Sequence, residues 1–219
     1  MTRTTEGLTP KLQEYVAAHS TAPDEILLDL AAETEKLFPD DNFMQIGPEQ
    51  GGLMTLLAQI TGAVRIVEVG SFTGYSAICL ARGLRPGGTL LACDISEEWT
   101  TVAQRYWKRA GLSDTITLKL GPALDTLRAL PVEPQFDIAF IDAEKEDYVD
   151  YWEELVPRMR PGGLLLGDNT LLHGKIVDPS DNAADTQGIR AYNARVLEDD
   201  RVEQVLIPIG DGLNLARKK

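Results

Sequence analysis

Three oxygen-bearing side chains, Asp142, Asp168 and Asn169, stand at the ends of apolar runs with no thiolate or imidazole beside them in sequence. Such a set suits a hard cation, Mg²⁺ or another divalent ion such as Mn²⁺ or Ca²⁺, over Zn²⁺, and leaves about three octahedral positions open. A second group lies in "VEVGSFTGYSAICLA", Val67 to Ala81, where Gly70, Ser71 and Gly74 follow a strand-like run and open a helical one. A pyrophosphate-binding turn needs a second glycine so that the phosphate can approach the backbone, and Phe72 occupies that place. No G-x-x-x-x-G-K-[ST] sequence is present either. Asp94 follows the turn by about twenty residues, where an acid usually holds the hydroxyls of a ribose. A nucleoside without phosphates fits this turn, and S-adenosylmethionine (SAM) is the common cofactor of that description. Taken singly, each residue has an ordinary reading: an Asp at a strand end is a cap or turn former, and Lys145, within "EKEDY", is a solvated charge.

These residues can meet only if the elements that carry them form one sheet. From about Thr61, apolar runs alternate with amphipathic segments: "VRIVEV", "GTLLACDI", "TITLKLG", "FDIAFID", "GGLLLGD" and "VEQVLIPI". That alternation reads as βα units around a mostly parallel sheet with both faces covered. The spacing predicts helices over Tyr75 to Gly83, Glu97 to Ala110, Pro122 to Ala129, Tyr148 to Met159 and Gln187 to Asp199. Gly210, Asp211 and Gly212 separate the last two strand-like runs as a tight hairpin, so an antiparallel edge is expected. In open doubly wound sheets, ligands bind beyond the carboxyl ends of the strands. Gly70, Ser71, Asp94, the segment from Gly121 to Ala123, Asp142, Asp168 and Asn169 therefore converge on one rim.

The first sixty residues read differently, with helical patterns in "TPKLQEYVAAHS", "PDEILLDLAAETEKLF" and "PEQGGLMTLLAQI" that are expected to pack on the sheet and wall one side of a site. One α/β domain spanning 1–219 is expected, with residues 1–60 as a helical cap and 61–219 as the core. The tract "HGKIVDPSDNAADT", His173 to Thr186, is long and irregular enough for a functional loop.

Composition narrows the chemistry. With 21 Lys and Arg against 34 Asp and Glu, the net charge is -13, which disfavours nucleic acid and anionic membranes and leaves cations and neutral or cationic small molecules as partners. Two histidines, His19 and His173, are too few for a His-rich zinc site or most His-based triads. Cys79 and Cys93 sit in apolar runs as buried free thiols. The opening residues have no apolar core for a signal peptide and no run spans a membrane, so a cytoplasmic protein is expected.

In order and spacing, "VEVGSFTGYS", "ACDI", "GPAL", "FIDAEKEDYVDY", "GGLLLGDNTLLHG" and "IPIGDGLNLA" resemble the cation-dependent class I O-methyltransferases, the caffeoyl-coenzyme A and catechol O-methyltransferases and their small bacterial relatives. The likeness covers about Met44 to Lys219. It implies a Rossmann-like methyltransferase fold, with a seven-stranded sheet ending in an antiparallel hairpin, and a homodimer. It places Met44, Glu68, Gly70, Ser71, Ser76, Asp94, Ala123 and Asp142 at SAM, with Ser76 near the methionine carboxylate and Ala123 on the adenine side. It makes Asp142, Asp168 and Asn169 the metal ligands, Lys145 the base, and Leu172, His173 and Asp211 neighbours of the acceptor. Where the plant coenzyme A enzymes typically have tryptophan after "DNTL", this chain has Leu172.

The activity so implied is methyl transfer to one oxygen of a vicinal diphenol, such as a phenolic acid or natural-product intermediate. A phenol of pKa near 10 requires about 4 kcal/mol to ionise at pH 7, much of which a bound cation can supply. Rivals are methylation of a caffeoyl-coenzyme A-like thioester, a nicotinamide-dependent dehydrogenase, and a noncatalytic module on the same scaffold.

Overall fold

The structure, a computed structural model, describes residues 9–219. Seven strands form one sheet: β1 (Arg65–Val69), β2 (Thr89–Asp94), β3 (Ile116–Leu120), β4 (Phe136–Ile141), β5 (Met159–Gly167), β6 (Val202–Ile207) and β7 (Leu213–Lys218), in the order β3-β2-β1-β4-β5-β7-β6. All pairs are parallel except β5 with β7 and β7 with β6. The antiparallel strand is thus β7, one place in from the edge, while β6 closes the sheet. The chain order reverses between β1 and β4, which opens a crevice at their carboxyl ends.

Alternation along the strands accounts for the two buried faces. Ile66, Ile138, Phe140, Leu164 and Leu166 enter one core with α3 (Pro48–Thr61), α4 (Tyr75–Gly83) and α5 (Glu97–Arg109). Val67, Val69, Ala139, Ile141 and Leu165 enter the other, with α6 (Ala123–Ala129), α7 (Tyr148–Leu155) and α8 (Ala184–Leu197). The same alternation turns Glu68 inward beside Ile66. Trp152 Nε1 donates to Asp199 Oδ2 at 2.9 Å and Arg201 Nε donates to Asp199 Oδ1 at 2.8 Å, which ties α7 to the chain after α8.

Most expected elements recur, α4 with the expected bounds. Helix α7 stops at Leu155, a single 3₁₀ turn containing Pro157 follows over Val156–Arg158, and Met159 already belongs to β5. Helix α8 begins three residues earlier than expected and ends at Leu197. Gly111, at φ 72°, follows α5, and Leu112 N–H donates back to Trp107 O at 2.8 Å, so the expected glycine stop is in place.

The N-terminal helices divide. Helix α2 (Glu25–Leu37) buries Leu27, Leu30 and Thr34, and α3 buries Gln50, Gly51, Met54 and Ala58. Helix α1 (Pro10–Ala18) buries no residue, so its packing against the sheet does not occur: Leu12, Tyr15 and Val16 stay exposed. His19 caps its end and stacks on Tyr15 at 3.8 Å. Cys79 and Cys93 are buried free thiols. No helix among the described residues is long and apolar enough to cross a membrane.

Candidate active site

A cleft of about 920 Å³ lies over the β1–β4 crevice, within the range of small-molecule sites. Its lining includes Met44, Gly70, Ser71, Ser76, Asp94, Ala123, Asp142, Lys145, Asp168, Asn169, Leu172, His173 and Asp211. Of the residues expected at the cofactor, the metal or the acceptor, Glu68 alone does not line it.

The glycines of the first turn serve close packing. Gly70, at φ 87°, donates its N–H to Cys93 O at 2.9 Å, and a Cβ there would collide with the Asp142 carbonyl oxygen. Gly74, at φ 89°, leads into α4, and a Cβ would lie 2.5 Å from Trp107 Nε1. Only glycine tolerates both the approach and the left-handed backbone at these places. Phe72, itself left-handed at φ 48°, sets its ring edge-on to Trp99 at 5.1 Å. An apolar wall therefore stands where a phosphate would need open backbone.

Carboxylates hold this turn from below and beside. Asp94 is buried, and its Oδ2 accepts the N–H groups of Ser71 and Phe72 at 2.9 and 2.8 Å while Oδ1 accepts that of Ser96 at 2.9 Å. Glu68 lies fully buried beneath, with Oε2 accepting from Ser71 Oγ at 2.5 Å and Oε1 without a partner among the described residues. Burial pushes its carboxyl up to about 7, against the lowering effect of the Ser71 hydrogen bond. Glu68 supports the turn from beneath and does not line the cleft, because the strand alternation that buries Ile66 buries it too.

At the other end of the cleft, β4 delivers Asp142 and β5 delivers Asp168 and Asn169. Lys145 begins a 3₁₀ turn and spends all three N–H donors, on Asp142 Oδ1, Ala143 O and Tyr148 Oη, each at 3.0 Å. Tyr148 Oη donates onward to Asp168 O at 3.2 Å. Asp168 is 3% exposed, and its carboxyl is pushed up to about 7 by burial and then by the charge of Asp142. Asn169 adopts φ 53°, and its N–H donates to Asp168 Oδ1 at 2.7 Å. Among the described residues, no group of three or more His, Cys, Asp or Glu side chains is arranged to hold a metal ion. The expected set instead has two carboxylates and an amide. Two carboxylates and an amide in one cleft, with the charge of Asp142 acting on Asp168, are a donor set that fits a hard cation.

The rim expected to face the acceptor is built by the irregular tract. Leu172 and His173 are left-handed at φ 44° and 51°. Leu172 reaches the cleft but is only 7% exposed, since most of it joins the core around Ile189 and Tyr192. His173 N–H donates to Asp211 Oδ1 at 2.6 Å, whereas Asp211 Oδ2 is buried without a partner among the described residues. Glu144, Asp147 and Asp185 share this rim with Lys175, whose Nζ is 3.7 Å from Asp185.

Sequence reading missed Gln50, Tyr148 and Tyr151. Gln50 Nε2 donates to Asp168 Oδ2 at 2.8 Å from a helix 118 residues away in sequence. Tyr148 was visible only as a helical apolar position. Tyr151 lines the cleft from the same helix.

Residues 17–219 match the family model described as O-methyltransferase. A probable caffeoyl-CoA O-methyltransferase 2 of Dictyostelium discoideum is 36% identical over 208 residues, which covers 93% of this chain and 90% of that protein. Among solved structures, the O-methyltransferase from Bacillus cereus in complex with SAH superposes with a TM-score of 0.87 at 32% identity, covering 95% of this chain and 97% of that one. The O-methyltransferase TomG from Streptomyces achromogenes, involved in tomaymycin synthesis and in complex with SAM, gives 0.86 at 30%, covering 95% and 96%.

Proposed function

Since the chain belongs to the O-methyltransferase family and is a SAM-dependent enzyme, we propose that it methylates one hydroxyl of a catechol-type small molecule, with a divalent cation held by Asp142, Asp168 and Asn169. The observation that carries this reading is the placement of Lys145 Nζ 3.0 Å from Asp142 Oδ1 in the cleft that also contains Asp94 and the Gly70 turn. Family membership and SAM dependence leave the dehydrogenase and the noncatalytic module without support.

When bound, SAM supplies an electrophilic methyl group and a divalent cation supplies Lewis-acid stabilisation of a phenolate. Asp94 and the Gly70 turn would hold the nucleoside end. Three of about four lone-pair sites on the Asp94 carboxylate already accept backbone N–H groups, so a ribose diol must share those oxygens. The start of α4, where Ser76 lines the cleft, would receive the methionine carboxylate.

Lys145 Nζ has three hydrogen-bond partners, Asp142 Oδ1, Ala143 O and Tyr148 Oη. To act as a base it would need a free lone pair turned to the acceptor, which requires one of these contacts to open. The neutral amine can then take the phenol proton. The rest of the acceleration comes from alignment of oxygen, methyl carbon and sulfur for in-line displacement.

A compact free catechol, such as a phenolic acid or natural-product intermediate, fits the acceptor side better than a caffeoyl-coenzyme A-like thioester. Phosphates call for Arg or Lys forks, and Lys175 stands here against Glu144, Asp147 and Asp185. The test compares kcat/KM for caffeate and caffeoyl-coenzyme A at low and high salt. A large preference for the thioester that salt weakens would overturn the acceptor assignment.

The homodimer is likewise a proposal, supported by exposed apolar side chains on the N-terminal helices, Leu12, Tyr15, Leu28, Leu56 and Ile60 among them. Sedimentation of the intact chain tests it; a monomer at micromolar concentration would refute it.

A further inference from the structure

Gln50 stands in the first turn of α3, is 2% exposed, and ends at the metal-binding acids. Its Nε2 donates to Asp168 Oδ2 at 2.8 Å, while Asp168 Oδ1 accepts the Asn169 N–H at 2.7 Å. Each carboxylate oxygen therefore has one protein donor, and two separate elements fix the plane of the group. Gln50 is confined from the far side by Gly210, at φ 54°, where a Cβ would lie 2.5 Å from Gln50 Oε1. The residues after Gly210 fasten the same turn: Leu171 N–H donates to Asp211 O and Thr170 N–H to Gly212 O, both at 2.9 Å.

The chemistry of an amide at this place differs from that of its alternatives. A carboxylate would add a third negative charge beside Asp142 and Asp168. An apolar side chain would leave a buried carboxylate oxygen without a donor, at a cost in orientation and stability. A neutral N–H leaves the charge of the acidic pair intact and occupies only one lone pair of Oδ2, so the other remains for a cation.

We propose that Gln50 is a positioning residue: through its hydrogen bond to Asp168 Oδ2 it orients that carboxylate for a divalent cation, which makes helix α3 part of the metal centre. This rests on the metal-dependent reading given above. The groups around a ligating carboxylate typically govern metal affinity by about 10-fold to 100-fold.

The experiment titrates parent and Gln50→Met with Mn²⁺ in the absence of SAM, following free Mn²⁺ by electron paramagnetic resonance. SAH affinity and thermal midpoint, both in EDTA, report whether the fold and the nucleoside end are intact. The expected result is Mn²⁺ binding weakened about 10-fold or more in the variant, with SAH affinity unchanged. In turnover, the KM for Mn²⁺ should rise more than kcat falls. Equal Mn²⁺ affinity in parent and variant overturns the proposal, and so does a parallel loss of Mn²⁺ and SAH affinity, which marks a structural role only. Gln50→Asn, too short to keep the contact, gives the same reading if the Met variant does not fold. If the parent itself fails to bind Mn²⁺ at millimolar concentration, the metal-dependent reading falls and this proposal with it.

Discussion

Asp94 Oδ2 accepts the backbone N–H of Ser71 at 2.9 Å across the ends of β1 and β2, so the acid expected to hold a ribose also closes the turn that the ribose rests on. Cofactor affinity and turn stability therefore share one side chain. Asp94→Ala removes the acceptor of three N–H groups, each of which would cost roughly 1 kcal/mol or more if left buried and unpaired. The variant is expected to unfold at a lower denaturant midpoint and to bind SAH at least about 100-fold more weakly, as loss of two charge-assisted hydrogen bonds implies. Calorimetric titration with SAH and equilibrium unfolding in urea measure the two effects. A variant as stable as the parent would show that the carboxylate does not hold the turn.

Lys145→Ala is expected to lower kcat by about 10² to 10⁴-fold, the usual effect of losing a general base, with little change in SAH affinity. Steady-state rates with saturating metal between pH 6 and 9, together with SAH binding, check this. Unchanged kcat across that interval would return Lys145 to the role of a solvated charge paired with Asp142.

The sequence made the sheet legible because its strands are apolar on both faces and are separated by turn formers. The helix over Tyr75 to Gly83 was readable to the residue, since Gly74 and Leu84 bracket one uninterrupted apolar stripe. Less could be read where tertiary pairing overrides local pattern. Met159 looks helical beside "ELVPR", yet it pairs with Phe136 in the sheet. Ala183 leads into α8 without a side-chain cap, so no local signal marks that start. Convergence of Asp94, Asp142 and Asp168 followed from the strand-end rule alone. Gln50 did not, because a glutamine on an amphipathic helix shows nothing of a partner on a distant strand. Leu172 lines the cleft while most of its side chain joins the core with Tyr192, a division that its residue type alone did not show.

Glu68 gives the protein a pH dependence with a definite sign. Burial raises its carboxyl from 4.5 to about 7, so the folded state binds its proton more tightly than the unfolded chain. The resulting stability is fully present below about pH 4.5 and is lost as pH rises through about 7, a change of order 3 kcal/mol. Without cofactor or metal, the thermal midpoint should fall between pH 5 and 8, and Glu68→Gln should flatten that fall. Asp168 shifts in the same direction, so part of the slope survives in the variant. An unchanged slope in Glu68→Gln would place the proton elsewhere.

The most direct test of the account is transfer of labelled methyl from SAM to a panel of catechols by metal-stripped protein, with and without added Mg²⁺. The predicted result is no turnover in EDTA, restoration by Mg²⁺, and loss of that restoration in Asp168→Ala while SAH binding persists, because Asp94 and the Gly70 turn are separate from the acids that would hold the cation. Full activity on a catechol in rigorously metal-free protein would contradict it.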